Sequence, residues 1–311
     1  AAVPIKVQDF SREIEPKAAA WAWLNEIVVV PFDLESAPMQ FALATIAQKE
    51  HVFLINQHHI IADASSSFNI FRVIAAIYEG LAGSTQEVTI PTITPFEVYR
   101  EFEREYRDSA QFERAGRHWQ KKLTKDVDPL CFFGQHGSKK GTSSHRLNIE
   151  LDRERARKLM ALAQLDEFRD LTAELTMFNL LAALFFALVY HMTGNERLTF
   201  LTPIHNRPTQ AFRQTIGLLM EVCPFVVDVK DGETPATLIE KLRKQTRGVM
   251  RFAQYGSSIK LNNKAHDLMF NYHKRPLLTF NGQSVAQELL YNGHTNESFA
   301  LHIHEFEEDG T

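Results

Sequence analysis

Residues 56–67 read NQHHIIADASSS: two adjacent histidines, an aspartate four positions after the second, then three serines. The string ends the apolar run HVFLINQHHI, which has the composition of a strand. Beyond it, Phe68, Phe71, Ile74, Ile77 and Tyr78 recur at helical spacing, with Ser65 or Ser66 placed to cap a helix and Gly80 to stop it. The histidines therefore lie on a strand-to-helix turn. Along an extended segment side chains alternate, putting Phe53, Ile55, Gln57 and His59 on one face and Val52, Leu54, Asn56 and His58 on the other. One imidazole is then available for chemistry and the other for packing, and parity alone leaves open which. Histidine is the usual general base near neutral pH because its unperturbed pKa is about 6.5. Asp63 either orients an imidazole or anchors the loop through an arginine. The serines read as helix-start residues, since a nucleophilic serine needs a base oriented across space, not along the chain.

Working outward, MQFALATIA and HVFLINQHHI are two extended segments joined by the polar turn Gln48-Lys49-Glu50, which predicts a hairpin. Upstream, a helical pattern follows Asp9 and gives way to an extended run, IVVVPFDL. Downstream, FEVYREFEREYRDS and AQFERAGRHWQKKL are strong helix formers. The glycines, lysines and serines of Thr124 to Ser144 predict an exposed linker, and the domain boundary is placed there, giving lobes 1–125 and 126–311. The second half predicts the strand HRLNIEL, a helix from about Arg153, the strands LTFLTPI and VCPFVVDV, a helix opening at Thr234-Pro235, and the strand FALHIHEF. Strands and helices mix in both halves, so the fold class is α/β or α+β.

Composition excludes several functions. A net charge of −4 offers no basic face for nucleic acid. Cys131 and Cys223 are too few and too far apart for a disulfide framework or a zinc site, and Cys223 reads as a buried strand thiol; a cytoplasmic setting is expected. The apolar stretch from Leu175 to Gly194 carries Asn179, Tyr190 and His191 and predicts a buried core helix, not a membrane span. His302 and His304 share a strand face near Glu305 and Glu307, a spacing that strand alternation explains without a metal.

HHIIADASS resembles the HHxxxDG signature of nonribosomal peptide synthetase condensation domains, which belong to the chloramphenicol-acetyltransferase-like acyltransferases. The resemblance extends over nearly the whole chain: DFS at Asp9 to Ser11, PFDLESAPM, HWQKKL, the run from Glu174 to Arg207 and IGLLMEVCPFVVDV fall in the expected order. It implies two lobes, each a mixed sheet with helices, forming a V-shaped pseudo-dimer around a central tunnel. His59 would act there as general base or position the nucleophile, and His58 would support the strand. Asp63 would be held by a salt bridge to Arg207, with Ser66 and Ala64 supporting the site and Gln57 and Asn206 lining the tunnel. The implied activity joins a carrier-bound acyl or peptidyl thioester to a carrier-bound amine. No cofactor would be bound by this chain, because substrates arrive on the 4′-phosphopantetheine arms of donor and acceptor carrier proteins in a multidomain synthetase.

This sequence departs from the family pattern in three places. Ala64 stands where the signature has glycine, which would strain a backbone of positive φ. Gln57 precedes the pair, against a dual epimerising subtype, and the histidines themselves exclude the heterocyclising one. The chain also looks shorter than a full condensation domain at both ends. Within the enzyme class the alternative is ester formation to a hydroxyl acceptor. HNRPTQAFRQTIGLLMEVCPF, atypical of peptide-extending members, suggests a polyketide or fatty acyl donor. A third reading is a non-catalytic module that docks carrier proteins; the retained histidines and Asp63 argue against it.

Overall fold

The computed structural model describes residues 3–82, 89–123, 130–132, 135–136, 141–257, 268–275 and 278–306. The first half contributes β1 (Ile5–Asp9), α1 (Pro16–Val28), β2 (Met39–Ala47), β3 (Glu50–Gln57), α2 (Ala64–Leu81), α3 (Phe96–Arg107) and α4 (Ala110–Lys122). The second half opens with the two-residue strands β4 (Cys131–Phe132) and β5 (Gln135–His136), then α5 (Arg153–Ala163), α6 (Ala173–Thr193), β6 (Arg197–Ile204), α7 (Gln210–Arg213) and β7 (Glu221–Asp228). It continues with α8 (Pro235–Phe252), β8 (Leu268–Arg275), β9 (Leu278–Phe280), β10 (Gln283–Val285) and β11 (Phe299–Phe306). The fold is mixed α/β, and among the described residues none of its sheets closes into a barrel. Most of the 124–144 stretch read as a linker lies outside the described residues.

The first sheet has the order β1-β2-β3, with β1 parallel to β2 and β2 antiparallel to β3. The predicted hairpin is present, pairing Met39 with Gln57 and Ala44 with Val52. Its alternation is used as the pleat requires: Ala42, Ala44, Ile46, Val52 and Leu54 meet Ala20, Leu24 and Ile27 of α1. On the opposite face Phe41 and Phe53 stack with centroids 5.7 Å apart.

The second sheet has the order β11-β8-β6-β7. β6 and β7 are antiparallel, while β8 runs parallel to both β6 and β11. Its core holds Phe185 and Phe186 of α6, Phe200, Phe225, Phe270 and, from the first half, Trp119 of α4. Each fully buried ring of this kind contributes about 1.5–3 kcal/mol. α6, apolar nearly all round, is the central helix of this core. Because Trp119 donates from its indole to Phe252 O at 2.9 Å, packing is continuous across position 125. Cys223 is fully buried in the same core, and burial pushes its thiol up to about 12.

Four local expectations are corrected. IVVVPFDL is not an extended run: Ile27 and Val28 finish α1 because Ala20, Leu24 and Ile27 fall on its buried stripe, and Val29 and Val30 form an exposed turn. HRLNIEL alternates but joins no ladder among the described residues, leaving Leu147 and Ile149 about 80% exposed. The cap of α2 is Asp63, not a serine, since its backbone is extended (φ −114°, ψ −178°) and its carboxylate accepts from Ser66 N; the helix also runs through Gly80 to Leu81. The Thr234-Pro235 start is as read, with Thr234 and Thr237 forming a reciprocal cap.

Candidate functional site

β3 ends at Gln57, so the histidine pair sits in the turn beyond it and strand parity no longer governs where the rings point. His58 N still donates to Pro38 O at 2.8 Å, and Ile61 N closes the turn onto His58 O at 3.1 Å. The His58 ring is held: its Nδ1 accepts from Ile60 N at 3.1 Å, and it meets Phe32 edge-on at 5.8 Å. A neutral His58 therefore carries its proton on Nε2. His59 is exposed. One ring is fixed by its neighbours, and the other faces solvent.

Four residues after His59 the chain enters a buried polar knot. Asp63 Oδ1 accepts from Ser66 N at 2.9 Å and from Arg207 Nη2 at 2.7 Å, and Oδ2 accepts from Leu219 N and Met220 N at 3.1 and 3.2 Å. Both side chains of the ion pair are nearly inaccessible, 2% and 3% exposed. Arg207 Nη1 donates to Phe212 O and Thr215 O, each at 2.6 Å. Ser66 Oγ donates to Gly217 O at 2.7 Å and accepts from Gly217 N at 3.0 Å. Asn69 Nδ2 adds a bond to Arg213 O at 2.8 Å. The first turns of α2 are thus tied to the 205–220 segment by side chains that satisfy its backbone, and a buried carboxylate bonded through both oxygens is tolerable where a bare one is not, although Arg207 Nε is buried with no hydrogen-bond partner among the described residues.

Ala64, the first residue of α2, does not have a positive φ, so alanine there carries no backbone strain. Gln57 reaches across to hydrogen-bond Ser67 Oγ. Asn206 takes the left-handed conformation at φ 50°, which asparagine tolerates better than most residues, and its Nδ2 donates to Tyr99 OH at 3.2 Å. That turn aims Arg207 inward; the Asn206 side chain is itself buried against Tyr99. The structure brings Asp63, Ser66 and Arg207 into direct contact and seats the His58–His59 turn on the same helix start. His302 lies near Asn271 and His304 stacks on His273 at 5.5 Å; among the described residues no group of three or more His, Cys, Asp or Glu converges as a metal site would require, and Glu307 lies outside them.

Asn69, Tyr99 and Gly217 are not singled out by the sequence reading. Asp63, Ser66 and Asn69 are spaced by three, a polar stripe on an otherwise apolar helix, which is the signal that could have found Asn69. Gly217 has no such signal. A Cβ there would sit 2.3 Å from the Phe96 ring, so the glycine is required by a close approach. Gly217→Ala is expected to destabilise the fold by about 1–3 kcal/mol through overpacking, seen as a lowered thermal midpoint; an unchanged midpoint would refute the constraint.

Glu221, at the start of β7, is pushed by burial and by Glu103 up to about 7, against the pull of Arg107. The folded state thus holds this proton more tightly than the unfolded chain does. Its contribution to stability is present below the ordinary 4.5 and is lost as pH rises through about 7. Glu221→Gln should flatten the fall in stability across that window in a pH series of urea midpoints, and identical slopes would count against it.

Against this geometry, comparison with known proteins is specific. The sequence matches the condensation domain family over residues 1–311. It is 27% identical over 234 residues to a linear gramicidin synthase of Brevibacillus parabrevis, covering 75% of this chain and 3% of that protein. It is 26% identical over 245 residues to bacitracin synthase 2 of Bacillus licheniformis, covering 77% and 8%. The chain therefore spans a small part of the curated synthetases it matches. Among solved structures, the first condensation domain of the CDA synthetase superposes with a TM-score of 0.81 at 19% identity, over 97% of this chain and 67% of that one. A starter condensation domain of rhizomide synthetase with C8-CoA gives 0.82 at 20%, over 100% and 70%. With the family matched along its full length and the same fold in solved members, this chain belongs to the condensation domain family of nonribosomal peptide synthetases.

Proposed function

We propose that this chain joins a carrier-tethered acyl or peptidyl thioester to a carrier-tethered amine, with His59 at the reacting atoms. The observation that carries this reading is the division of labour in the turn: His58 is immobilised by Ile60 N and Phe32, the Asp63–Arg207 knot fixes the helix start, and His59 is left exposed. The amine nitrogen attacks the thioester carbonyl, the carbon–sulfur bond breaks, and an amide and a free thiol result. His59 takes up the proton released by the attacking nitrogen and passes it to the departing thiolate, so the thiol leaves protonated and the imidazole is neutral again. Holding both substrates together supplies much of the acceleration as effective concentration, with no covalent enzyme intermediate.

In this reading residues 1–125 and 126–311 form the two lobes, with the substrate tunnel between them and Gln57 and Asn206 near its wall. No cofactor is bound; donor and acceptor carrier domains of a cytoplasmic synthetase are the partners. The test uses the intact protein with both carriers loaded, follows transfer by mass spectrometry, and offers amine and hydroxyl acceptors. An acyl thioester of the C8 class is one donor to try, since the rhizomide starter domain binds C8-CoA. Amide product supports the proposal, ester product alone would reassign the acceptor class, and carrier binding without transfer would leave a docking module.

A further inference from the structure

We propose that His205 is a second catalytic imidazole, donating from Nε2–H to the thioester carbonyl oxygen while the acceptor attacks; the proposal rests on the condensation reading above. His59 serves the nucleophile, and His205 serves the electrophile. β6 ends at Ile204, so His205 is the first residue beyond it. Arg207, two positions on, makes the 2.7 Å ion pair with Asp63, which lies four positions after His59. One buried contact therefore pins two short segments, each carrying an exposed histidine and each from a different half of the chain. Two residues span at most about 7 Å and four at most about 14 Å, so neither histidine strays far from the pair. The charges of Asp63 and Arg207 both act on His205.

The turn itself aims the His205 ring. Asn206 is left-handed at φ 50° with its amide on Tyr99 OH, and Arg207 N donates back to His205 Nδ1 at 3.4 Å. A neutral ring that accepts on Nδ1 carries its proton on Nε2. His58 uses the same device, accepting on Nδ1 from Ile60 N, but its ring also meets Phe32, whereas His205 is exposed. Protein still surrounds the His205 ring closely enough for burial to be the largest influence on its basicity, holding it below the ordinary 6.5. Glu174 at the start of α6 and Asp63 pull the other way, while Arg213 of α7 and Arg207 add to the effect of burial. At neutral pH His205 is thus an uncharged N–H donor at the mouth of a recess.

Attack on a thioester makes the carbonyl oxygen negative before the sulfur departs. As the nitrogen bonds to the carbonyl carbon, an electron pair of the C=O bond moves onto oxygen, and the Nε2–H···O bond strengthens. The pair then returns, the carbon–sulfur bond breaks, and His205 keeps its proton throughout. A fixed donor aimed at such an oxygen acts where charge grows, and loss of one typically costs about 10²–10³ in rate. Its neighbours are committed elsewhere: Asn206 Nδ2 to Tyr99, and Arg207 Nη1 and Nη2 to Asp63, Phe212 O and Thr215 O.

The test measures transfer from a carrier-loaded thioester to an amine and to a hydroxyl acceptor in wild type, His205→Ala and His205→Gln. Both acceptors attack the same carbonyl, so His205→Ala is expected to slow both by one common factor, about 10²-fold in kcat, with KM little changed. His205→Gln, whose amide N–H stands in for Nε2–H, should regain at least about tenfold of that loss. Thermal midpoints should match wild type, because Asn206 and Arg207 hold the turn without the ring. A lowered midpoint with no recovery in His205→Gln would make the ring structural and overturn the proposal. A loss confined to the hydroxyl acceptor would make it a base, with the same consequence. Transfer by wild type and equally by His205→Ala would overturn this inference alone, whereas no transfer by wild type with both carriers bound would overturn the condensation reading and this inference with it.

Discussion

Arg207→Met is expected to lower the unfolding free energy by about 3–5 kcal/mol, as removal of one partner from a buried ion pair does. The loss arises because Asp63 stays buried, 3% exposed, with its nearest positive charge gone. Phe212 O and Thr215 O lose their 2.6 Å donors at the same time. In many buried pairs an apolar double replacement restores stability, since neither charge is then stranded. That rescue is not expected for Asp63→Leu combined with Arg207→Met. Here the carboxylate also serves Ser66 N, Leu219 N and Met220 N, and each buried amide left without an acceptor costs about 1–3 kcal/mol. Urea unfolding monitored by fluorescence decides the matter: a shift worth less than about 1 kcal/mol in Arg207→Met would put this pair with ordinary surface bridges.

The largest effect on chemistry is expected at His59. If His59 accepts the nucleophile's proton, His59→Ala should slow a hydroxyl acceptor by about 10²–10⁴-fold, the usual reach of general-base catalysis. An amine acceptor should lose much less, because an unprotonated amine attacks a thioester without help. The thermal midpoint should stay near wild type, since His59 is exposed and surface substitutions cost little. His58→Ala should behave differently: it removes the acceptor of Ile60 N and the edge contact to Phe32, so its loss of rate should come with a loss of stability. Equal rates for wild type and His59→Ala with every acceptor would remove His59 from the mechanism.

Much of this architecture is legible where local chemistry decides the outcome. The β2–β3 hairpin, α3, α4 and the Thr234 cap rest on alternation, helical propensity and a threonine–proline start. Sequence misleads where a clean local pattern has no partner or a poor one has two. HRLNIEL alternates well yet pairs with nothing described, whereas β8, with Asn271, His273 and Lys274 among its residues, escapes the sequence reading although it runs between β6 and β11. Alternation reports what a strand could bury, not which neighbour will supply the ladder. β1 escapes for the same reason, being a five-residue strand exposed along its length. At the candidate site, the turn, Asp63 and Ser66 are readable from spacing. Arg207 enters only through the family resemblance, because no local rule joins residues 144 positions apart. Gly217 depends on where the Phe96 ring falls in space, which no pattern in its own segment encodes.

The Asp63 carboxylate serves two kinds of order at once. It caps the helix that starts one residue later, and it receives a guanidinium from 144 residues downstream. The cap can form as soon as its own segment is made, while the ion pair must wait for a long loop to close. Interactions that form after the folding barrier slow unfolding more than they speed folding. If the knot belongs to that late class, its residues set the lifetime of the native state, and the His59 turn keeps its shape for as long as the two halves of the chain stay joined.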